Sequence, residues 1–185
     1  GVMTIILMLV SAMMTSISIT REKELGTMEI LLVSPIKPIQ VIVGKVFPYI
    51  FLSIINAIVI VMLSIFIFKM PVQGSLFLLA LESVLFIISA LALGILISTI
   101  SASQQTAMMI SLMGLMLPVI LLSGFIFPIS SMPLPLQVIS NIIPAKWFII
   151  IIKGIMLKGV GLQYLWKETL ILIGMTVFFI GLSVK

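Results

Sequence analysis

Long apolar runs separated by short polar segments are the dominant pattern of the sequence. A helix needs roughly 20 apolar residues to cross the hydrocarbon core of a bilayer. Runs of about this length occupy residues 2–19, 41–68, 76–98, 106–127 and 165–184. The pattern therefore predicts an all-α integral membrane protein with about five transmembrane helices, joined by short polar loops.

The region between the last two runs is also apolar, but prolines interrupt it, at positions 128, 133, 135 and 144. One interpretation makes residues 134–157 a sixth span, with Lys146 near the bilayer centre at a cost of about 2.5–3.5 kcal/mol. The other makes two short helices, 135–142 and 144–157, each too short to cross, which dip into the membrane and return or lie at its surface. We favour this second interpretation, a proline-broken re-entrant hairpin on the extracellular side, because of the prolines and the cost of a central lysine.

The distribution of basic residues does not choose between these interpretations. With Arg21 on the cytoplasmic side, five spans place five basic residues on each side, counting Lys185 as cytoplasmic. A sixth span would move Lys158 and Lys167 to the cytoplasmic side and improve the asymmetry. The five-span interpretation therefore predicts that the hairpin lies outside and that residues 21–35 lie in the cytoplasm.

The composition requires a lipid environment and excludes several kinds of site. Hydrophobic residues make up 62% of the chain and charged residues 8%, against roughly 45–50% and about 25% in soluble domains. Cysteine, histidine and aspartate are absent, which excludes disulfides, a Cys-based metal site, zinc-protease chemistry and a Ser-His-Asp triad. The net charge of +5 comes from scattered single bases, which do not form a nucleic-acid-binding patch.

One short segment, residues 21–35, is densely charged. Its sequence is REKELGTMEILLVSP, and it holds five of the fifteen formal charges in the chain. Leu25, Met28 and Leu32 recur at helical spacing, which predicts a short amphipathic helix along the membrane surface. Such a helix is either a charged connector or a docking helix that presents carboxylates and apolar side chains to a soluble partner. The residues alone do not decide between these two roles.

Five motifs occur along the chain in a fixed order: REKELGTMEILLVSPI, GKVFPY, SQQTAM, LSGFIFPISSMP and IIPAKWFIIIIKGIMLKG. Their order and spacing resemble those of the type-2 ABC transporter permeases, a bacterial exporter family that includes drug-efflux and polysaccharide exporters. The resemblance covers essentially the whole chain. It implies the membrane subunit of an ATP-driven exporter.

In that family the first cytoplasmic loop forms a coupling helix that contacts a separate nucleotide-binding subunit. The residues that fall on this motif are Arg21, Glu22, Glu24, Gly26, Thr27 and Glu29. The proline-broken region matches the family's extracellular re-entrant hairpin, with the candidate residues Gly124, Pro128, Pro133 and Pro144. Family members usually carry a further N-terminal span, often followed by an extracellular domain. Residues 1–185 are therefore expected to be a fragment that contains a single transmembrane domain.

The resemblance also implies partners and cofactors. Gly44 and Lys45 lack the other residues of a phosphate-binding Walker A motif, so ATP and Mg²⁺ are expected on a partner ABC ATPase subunit and no cofactor on this chain. The other expected partners are a second permease copy or a paralogue and the lipid bilayer, with no nucleic acid. The expected location is the inner (cell) membrane of a bacterium, and the expected substrate is amphiphilic or hydrophobic.

Two polar residues within the spans are candidates for the translocation path. Glu82 lies about 9 Å below the outer end of its helix, and an ionisable residue at that depth faces a cavity or a partner helix unless it reaches the headgroups or stays protonated. Asn56 lies mid-span, where a helix–helix hydrogen bond of about 0.6 kcal/mol is favoured over substrate contact. Ala90 and Gly94 form a small-xxx-small pair, which permits close helix approach.

Two other functions remain open. A secondary transporter would couple transport to protons or sodium through Glu82. An intramembrane enzyme would depend on Ser–Lys chemistry, for which the sequence shows no paired geometry. We therefore expect a transport subunit and not an enzyme.

Overall fold

The computed structural model describes residues 1–184, apart from the side chain of Pro38, so Lys185 lies outside the described residues. Helices make up 82% of the structure, and the described residues include no strand. Five helices are long and apolar enough to cross a membrane. These observations confirm the all-α membrane fold with five spans.

The helices are, in chain order, α1 (Val2–Glu24), α2 (Thr27–Val33), α3 (Pro38–Phe66), α4 (Leu76–Ile100), α5 (Gln104–Ser111), α6 (Leu117–Leu122), α7 (Leu134–Ser140), α8 (Pro144–Lys158) and α9 (Leu162–Val184). A π-helical turn, Leu112–Met116, joins α5 to α6, so that Gln104–Leu122 forms one span. A 3₁₀ turn, Ile129–Ser131, precedes α7. The five spans are α1, α3, α4, α5–α6 and α9.

Two spans end five residues away from the predicted position. α1 continues beyond the predicted end at position 19 to Glu24, because charged side chains can extend into water while the helical backbone continues. The fourth span ends at Leu122 and not at position 127. There Gly124 takes a φ of +78°, a left-handed conformation that ends helices.

α4 lies at the centre of the bundle, where it contacts α1, α3, α8 and α9. More than half of its span (56%) is buried, against 11% of the span formed by α3, which therefore lies at the edge. Phe86, Ile87 and Ala90 on α4 are completely buried. A helix that is apolar on all sides is typical of such a central position.

α1 and α4 approach each other closely at Gly94. A Cβ atom at this position would lie 2.5 Å from the main-chain oxygen of Ala12 and 3.0 Å from the Cβ of Thr15. A larger residue would therefore force the two helices apart. Next to this crossing, Ser11 on α1 hydrogen-bonds Ser53 on α3, with an Oγ–Oγ distance of 2.8 Å. The small residue at Gly94 thus serves helix packing, as its spacing predicts.

Contacts between helix ends and loops define two ends of the bundle. At the lower end, Lys23 Nζ donates a hydrogen bond to the main-chain oxygen of Ser98 at 2.8 Å, which joins the end of α1 to the end of α4. At the upper end, the main-chain N–H of Gln73 donates to the main-chain oxygen of Met156 at 3.1 Å. This contact places the loop before α4 against the end of α8.

α7 and α8 form a bent pair with an angle of 81° between them. Phe148 on α8 stacks on Phe86 on α4, with ring centroids 4.1 Å apart. Phe86 comes ten residues after Leu76, and Phe148 comes ten residues before Lys158, so both rings lie about 15 Å from the upper end. α8 therefore rises antiparallel to α4 and returns to the upper end.

The chain also enters this pair from the upper end. α5–α6 begins at the lower end and rises, and after it Phe125 lies against Gly1, the residue before α1. α9 then descends parallel to α4, and Thr169 Oγ1 donates a hydrogen bond to Glu82 Oε1 at 2.8 Å, near the start of both helices. The two short helices thus enter and leave at one face, as a re-entrant hairpin does, and do not form a sixth span.

The position of Lys146 corrects one argument for the hairpin. Lys146 comes twelve residues before Lys158, about 18 Å along α8, and only 8% of its surface is exposed. The cost of a central lysine therefore does not distinguish the two topologies, because the hairpin also buries this residue. Its Nζ donates hydrogen bonds to Asn141 Oδ1 at 2.5 Å and to Ser140 Oγ at 3.2 Å, and it lies 5.0 Å from the Trp147 ring centroid.

Candidate functional site

The charged segment at the lower end contains a helix that is shorter than the sequence predicts. α1 extends through Glu24, and α2 is a separate helix of seven residues. Between them, Gly26 has a φ of +73°, which glycine adopts without the steric cost of a side chain. The predicted coupling residues are therefore divided between two helices, with Arg21, Glu22 and Glu24 on α1 and Thr27 and Glu29 on α2.

Glu22 joins the end of α1 to both α2 and α3. Its Oε1 forms an ion pair with Lys45 Nζ on α3 at 2.5 Å, and its Oε2 accepts a hydrogen bond from Thr27 Oγ1 on α2. The Lys45 and Glu22 side chains are 24% and 29% exposed, so water screens the pair and it contributes about 0–1 kcal/mol to stability. The consequence of the contact is geometric, because one carboxylate positions α2 relative to two spans.

Glu24 and Lys23 join the end of α1 to the connection between α4 and α5. Glu24 Oε2 accepts hydrogen bonds from the main-chain N–H and the side-chain amide of Gln104, both at 3.0 Å. A negative charge is favourable there because it faces the N-terminus of α5. Lys23 Nζ binds the main-chain oxygens of Ser98 and Thr99, where the C-terminal end of α4 favours a positive charge.

α2 presents most of its surface outward, since none of its residues is buried. Ile30 and Val33 are 72% and 88% exposed. The one ion pair found among the described residues is that of Glu22, so Glu29 on α2 has no ionic partner there. This exposed mixture of apolar and acidic side chains, which we term the α2 surface, consists of Leu25, Glu29, Ile30 and Val33.

Glu82, the first candidate for the translocation path, is completely buried between α4 and α9. Its Oε1 accepts the hydrogen bond from Thr169, and its Oε2 has no hydrogen-bond partner within residues 1–184. The carboxyl group therefore faces a neighbouring helix, and the alternative in which it reaches the headgroups does not fit this burial.

Asn56, the second candidate, is not brought together with Glu82. Asn56 is half-buried on α3, and the hydrogen bond from α3 to α1 is made instead by Ser53, one turn earlier. A groove of about 540 Å³ between α3 and α4 has an almost entirely apolar lining that includes neither candidate residue. The two predicted residues therefore do not form a common site in this structure.

The four hairpin residues each lie where the backbone changes direction. Gly124 follows α6 with its positive φ, Pro128 precedes the 3₁₀ turn, and Pro133 precedes α7. Pro144 is the first residue of α8, where a missing N–H costs no helical hydrogen bond. These residues shape the hairpin, and the polar contacts of its tip come from Ser140, Asn141 and Lys146.

Sequence reasoning missed several polar residues. Lys23 and Gln104 connect α1 to the α4–α5 loop, and the polar motif SQQTAM was the available signal for Gln104. Glu168 lies within the predicted span 165–184, next to Thr169, and its Oε2 is buried without a hydrogen-bond partner in the described part of the chain. An acid within an apolar run was the available signal for Glu168.

Comparison with known proteins connects this arrangement to membrane transport. A family described as "ABC-2 family transporter protein" matches residues 1–185. The probable multidrug ABC transporter permease YbhS of Escherichia coli is 40% identical over 183 residues, which cover 99% of this chain and 48% of the relative. The probable multidrug ABC transporter permease YbhR of the same species is 36% identical over 154 residues, covering 83% of this chain and 42% of the relative.

A third relative is more distant. The inner membrane transport permease YhhJ of Escherichia coli is 30% identical over 188 residues, which cover 98% of this chain and 50% of the relative. The chain thus spans about half the length of the curated relatives it matches. No solved structure matches the chain.

Proposed function

This chain belongs to the ABC-2 transporter family, and we propose that it forms the membrane-spanning permease part of an ATP-driven exporter. In this proposal residues 1–185 act as one transmembrane domain. A separate ABC ATPase subunit binds ATP and Mg²⁺, and a second permease copy or a paralogue completes the assembly. The protein lies in the inner membrane of a bacterium with its lower end in the cytoplasm. The relatives named as multidrug permeases support an amphiphilic or hydrophobic substrate.

One observation carries this proposal: the exposed α2 surface is tied to several spans at once. α2 contacts the end of α1 through Thr27 and Glu22, and Glu22 in turn pairs with Lys45 on α3. The adjacent Glu24 holds the start of α5 through Gln104. A partner that moves α2 therefore acts on α1 directly, and through α1 on α3 and α5. This arrangement suits the transfer of movement from a soluble ATPase to the membrane helices.

The α2 surface and the Glu22 contacts have separate parts in this mechanism. Glu29, Ile30 and Val33 are exposed, so they are available to bind the ATPase. Glu22 is already occupied by Lys45 and Thr27, so it transmits movement and does not bind the partner. Docking and transmission can therefore be tested with different variants.

Docking is tested by the variant Glu29→Lys, made in the full-length chain co-expressed with its ATPase subunit. Membrane levels should stay normal because the residue is exposed. Co-purification of the ATPase should fall tenfold or more, as expected when a charge pair at an interface loses one partner. The matched control is Lys167→Glu, which reverses one charge at the upper end. Undiminished ATPase association in Glu29→Lys, together with normal substrate-stimulated ATP turnover, would contradict the proposal.

Transmission is tested by the variant Lys45→Gln, which removes the ion pair to Glu22 but leaves the α2 surface unchanged. The ATPase should still co-purify, whereas stimulation of ATP turnover by substrate should decrease in reconstituted vesicles. Equal stimulation in the variant and the unaltered protein would mean that Lys45 has no part in coupling.

A second candidate function is secondary transport coupled to protons or sodium. The observation in its favour is the Glu82 carboxyl group, which is buried with Oε2 unpartnered among residues 1–184. Substrate export should stop on ATP depletion if the ABC proposal is correct, and on collapse of the proton or sodium gradient by an ionophore if secondary transport is correct. Glu82→Gln keeps the hydrogen bond from Thr169 and removes ionisation, so it should abolish coupling only in the second case.

A further inference from the structure

A cleft of about 470 Å³ lies at the upper end, between the last turns of α8 and the first turns of α9. We term it the upper cleft. Its polar side chains are Lys153 and Lys158 from α8 and Tyr164 and Glu168 from α9. No part of the proposed transport mechanism uses these four residues. The cleft is therefore a separate candidate for ligand binding.

Close packing of α8 on α9 forms the apolar wall of the upper cleft. A Cβ atom at Gly154 would lie 3.0 Å from the Leu165 side chain, so the two helices nearly touch there. Leu157 and Leu165 line the cleft beside the charged residues. A ligand in this position would therefore meet charges at one side and aliphatic carbon at the other.

The charges of the upper cleft do not neutralise one another by direct contact. The ion pair found among the described residues is that of Glu22 with Lys45, so neither Lys153 nor Lys158 pairs with Glu168. Both lysines are exposed, whereas Glu168 Oε2 is buried without a hydrogen-bond partner in the described structure. Glu168 as a whole is half-buried and lines the cleft, so a cationic donor in the cleft meets a carboxyl group that no lysine neutralises within the described residues.

The residues of the upper cleft define the chemistry of a complementary ligand. Two ammonium groups match a phosphate, which accepts charge-assisted hydrogen bonds. The Glu168 carboxyl group in the cleft lining matches a primary ammonium, which has N–H groups to donate. A quaternary ammonium has no such N–H and leaves the Glu168 oxygen unpartnered. The apolar wall matches aliphatic chains attached to the same molecule.

We propose that the upper cleft binds the phosphoethanolamine headgroup of a bilayer phospholipid. Its phosphate binds Lys153 and Lys158, its ammonium group donates to the Glu168 carboxyl group, and its acyl chains pass along Leu157 and Leu165. The cleft lies at the upper end of the bundle, where lipid headgroups are present. The re-entrant helix α8 forms one of its sides. This proposal does not depend on ATP-driven transport, because lipid binding is measured without the ATPase.

The test is a titration of the full-length chain in detergent with phosphatidylethanolamine or phosphatidylcholine of identical acyl chains, with bound lipids counted by native mass spectrometry. Phosphatidylethanolamine should bind about tenfold more tightly, since a hydrogen bond to a charged group adds that much. Glu168→Gln should abolish the preference while phosphatidylcholine binding stays unchanged. Lys153→Gln with Lys158→Gln should weaken both lipids about tenfold.

The matched control is Lys167→Gln, which removes one positive charge next to Glu168 but outside the cleft lining. It should bind both lipids as the unaltered protein does. Equal binding of the two lipids by the unaltered protein would overturn the proposal. Equal losses of lipid affinity in Lys167→Gln and in the cleft variants would also overturn it. Soluble glycerophosphoethanolamine should displace bound phosphatidylethanolamine only weakly. Displacement at concentrations as low as those of the lipid itself would overturn the assignment to a phospholipid. The lysines are exposed, so their variants test the site even if Glu168→Gln fails to fold.

Discussion

The charged segment at the lower end and the interior around α4 place polar side chains in opposite surroundings. At the lower end, Glu22 and Lys45 pair while both remain partly exposed, 29% and 24% of their side chains respectively. Beside α4, Glu82 has no exposed surface and binds Thr169 on a neighbouring span. Both contacts connect different helices, but water reaches only the first.

This difference separates the contributions of the two regions to folding and to function. An exposed ion pair contributes about 0–1 kcal/mol to stability, whereas a buried polar group that loses its partner costs about 1–3 kcal/mol. Changes at the lower end should therefore affect docking and coupling with little effect on folding. Changes in the interior should reduce stability before any effect on transport is visible.

The largest expected contrast is in accessibility from the two sides of the membrane. The chain has no cysteine, so single introduced cysteines report without background. An impermeant maleimide should label Ser131→Cys and Gln163→Cys on intact cells, but should label Ile30→Cys only after permeabilisation. Labelling of position 163 only after permeabilisation would mean that the hairpin crosses the membrane. The two ends of the bundle would then no longer correspond to the two sides of the membrane.

The next largest effect is expected at the α1–α4 crossing in the interior. Gly94→Leu places side-chain atoms against the main chain of Ala12, which cannot move aside as a side chain can. Overpacking of this kind costs about 1–3 kcal/mol or more, so the yield of monodisperse protein in detergent should collapse. Gly174→Leu on α9 is the control, because nothing lies within 4 Å of a Cβ there. Similar yields for both variants would show that the crossing is not tightly packed.

A smaller effect is expected from Thr169→Val, which removes the donor to the buried Glu82. The loss should be about 1–3 kcal/mol in the free energy of unfolding, measured by denaturant titration in detergent. Thr176→Val is the matched control on the same helix, because Thr176 Oγ1 donates only to the main-chain oxygen of Leu172. If the control were destabilised as much as Thr169→Val, the contact with Glu82 would contribute nothing to stability.

The smallest effect on stability is expected from Glu22→Gln at the lower end. It removes the charge that pairs with Lys45, so the free energy of unfolding should fall by about 0–1 kcal/mol. Glu29→Gln, which removes a charge without an ion pair in the described residues, should leave stability unchanged. A loss above about 2 kcal/mol in Glu22→Gln would exceed the range for exposed pairs and remove the contrast between the two regions.

The candidate site was only partly predictable, and the residues show why. The motif at residues 21–35 identified the segment that carries the α2 surface, because charges within an apolar chain are conspicuous. The break at Gly26 was not predicted, although glycine is the residue that permits it. The contacts of Glu22 and Glu24 could not be read from spacing, because their partners Lys45 and Gln104 lie on other helices. Whether these residues couple ATP hydrolysis to transport stays a prediction.

The sequence by itself determined the number of spans, the place of the hairpin and the small residue at the helix crossing. Each of these depends on local properties: the length of an apolar run, the missing N–H of proline and the missing side chain of glycine. Only the tertiary structure decided which polar residues meet. Glu24 and Gln104 are 80 residues apart in sequence, and Glu82 and Thr169 are 87 apart. Such pairs depend on how the helices cross and on their relative rotation, and these follow from the packing of all spans together.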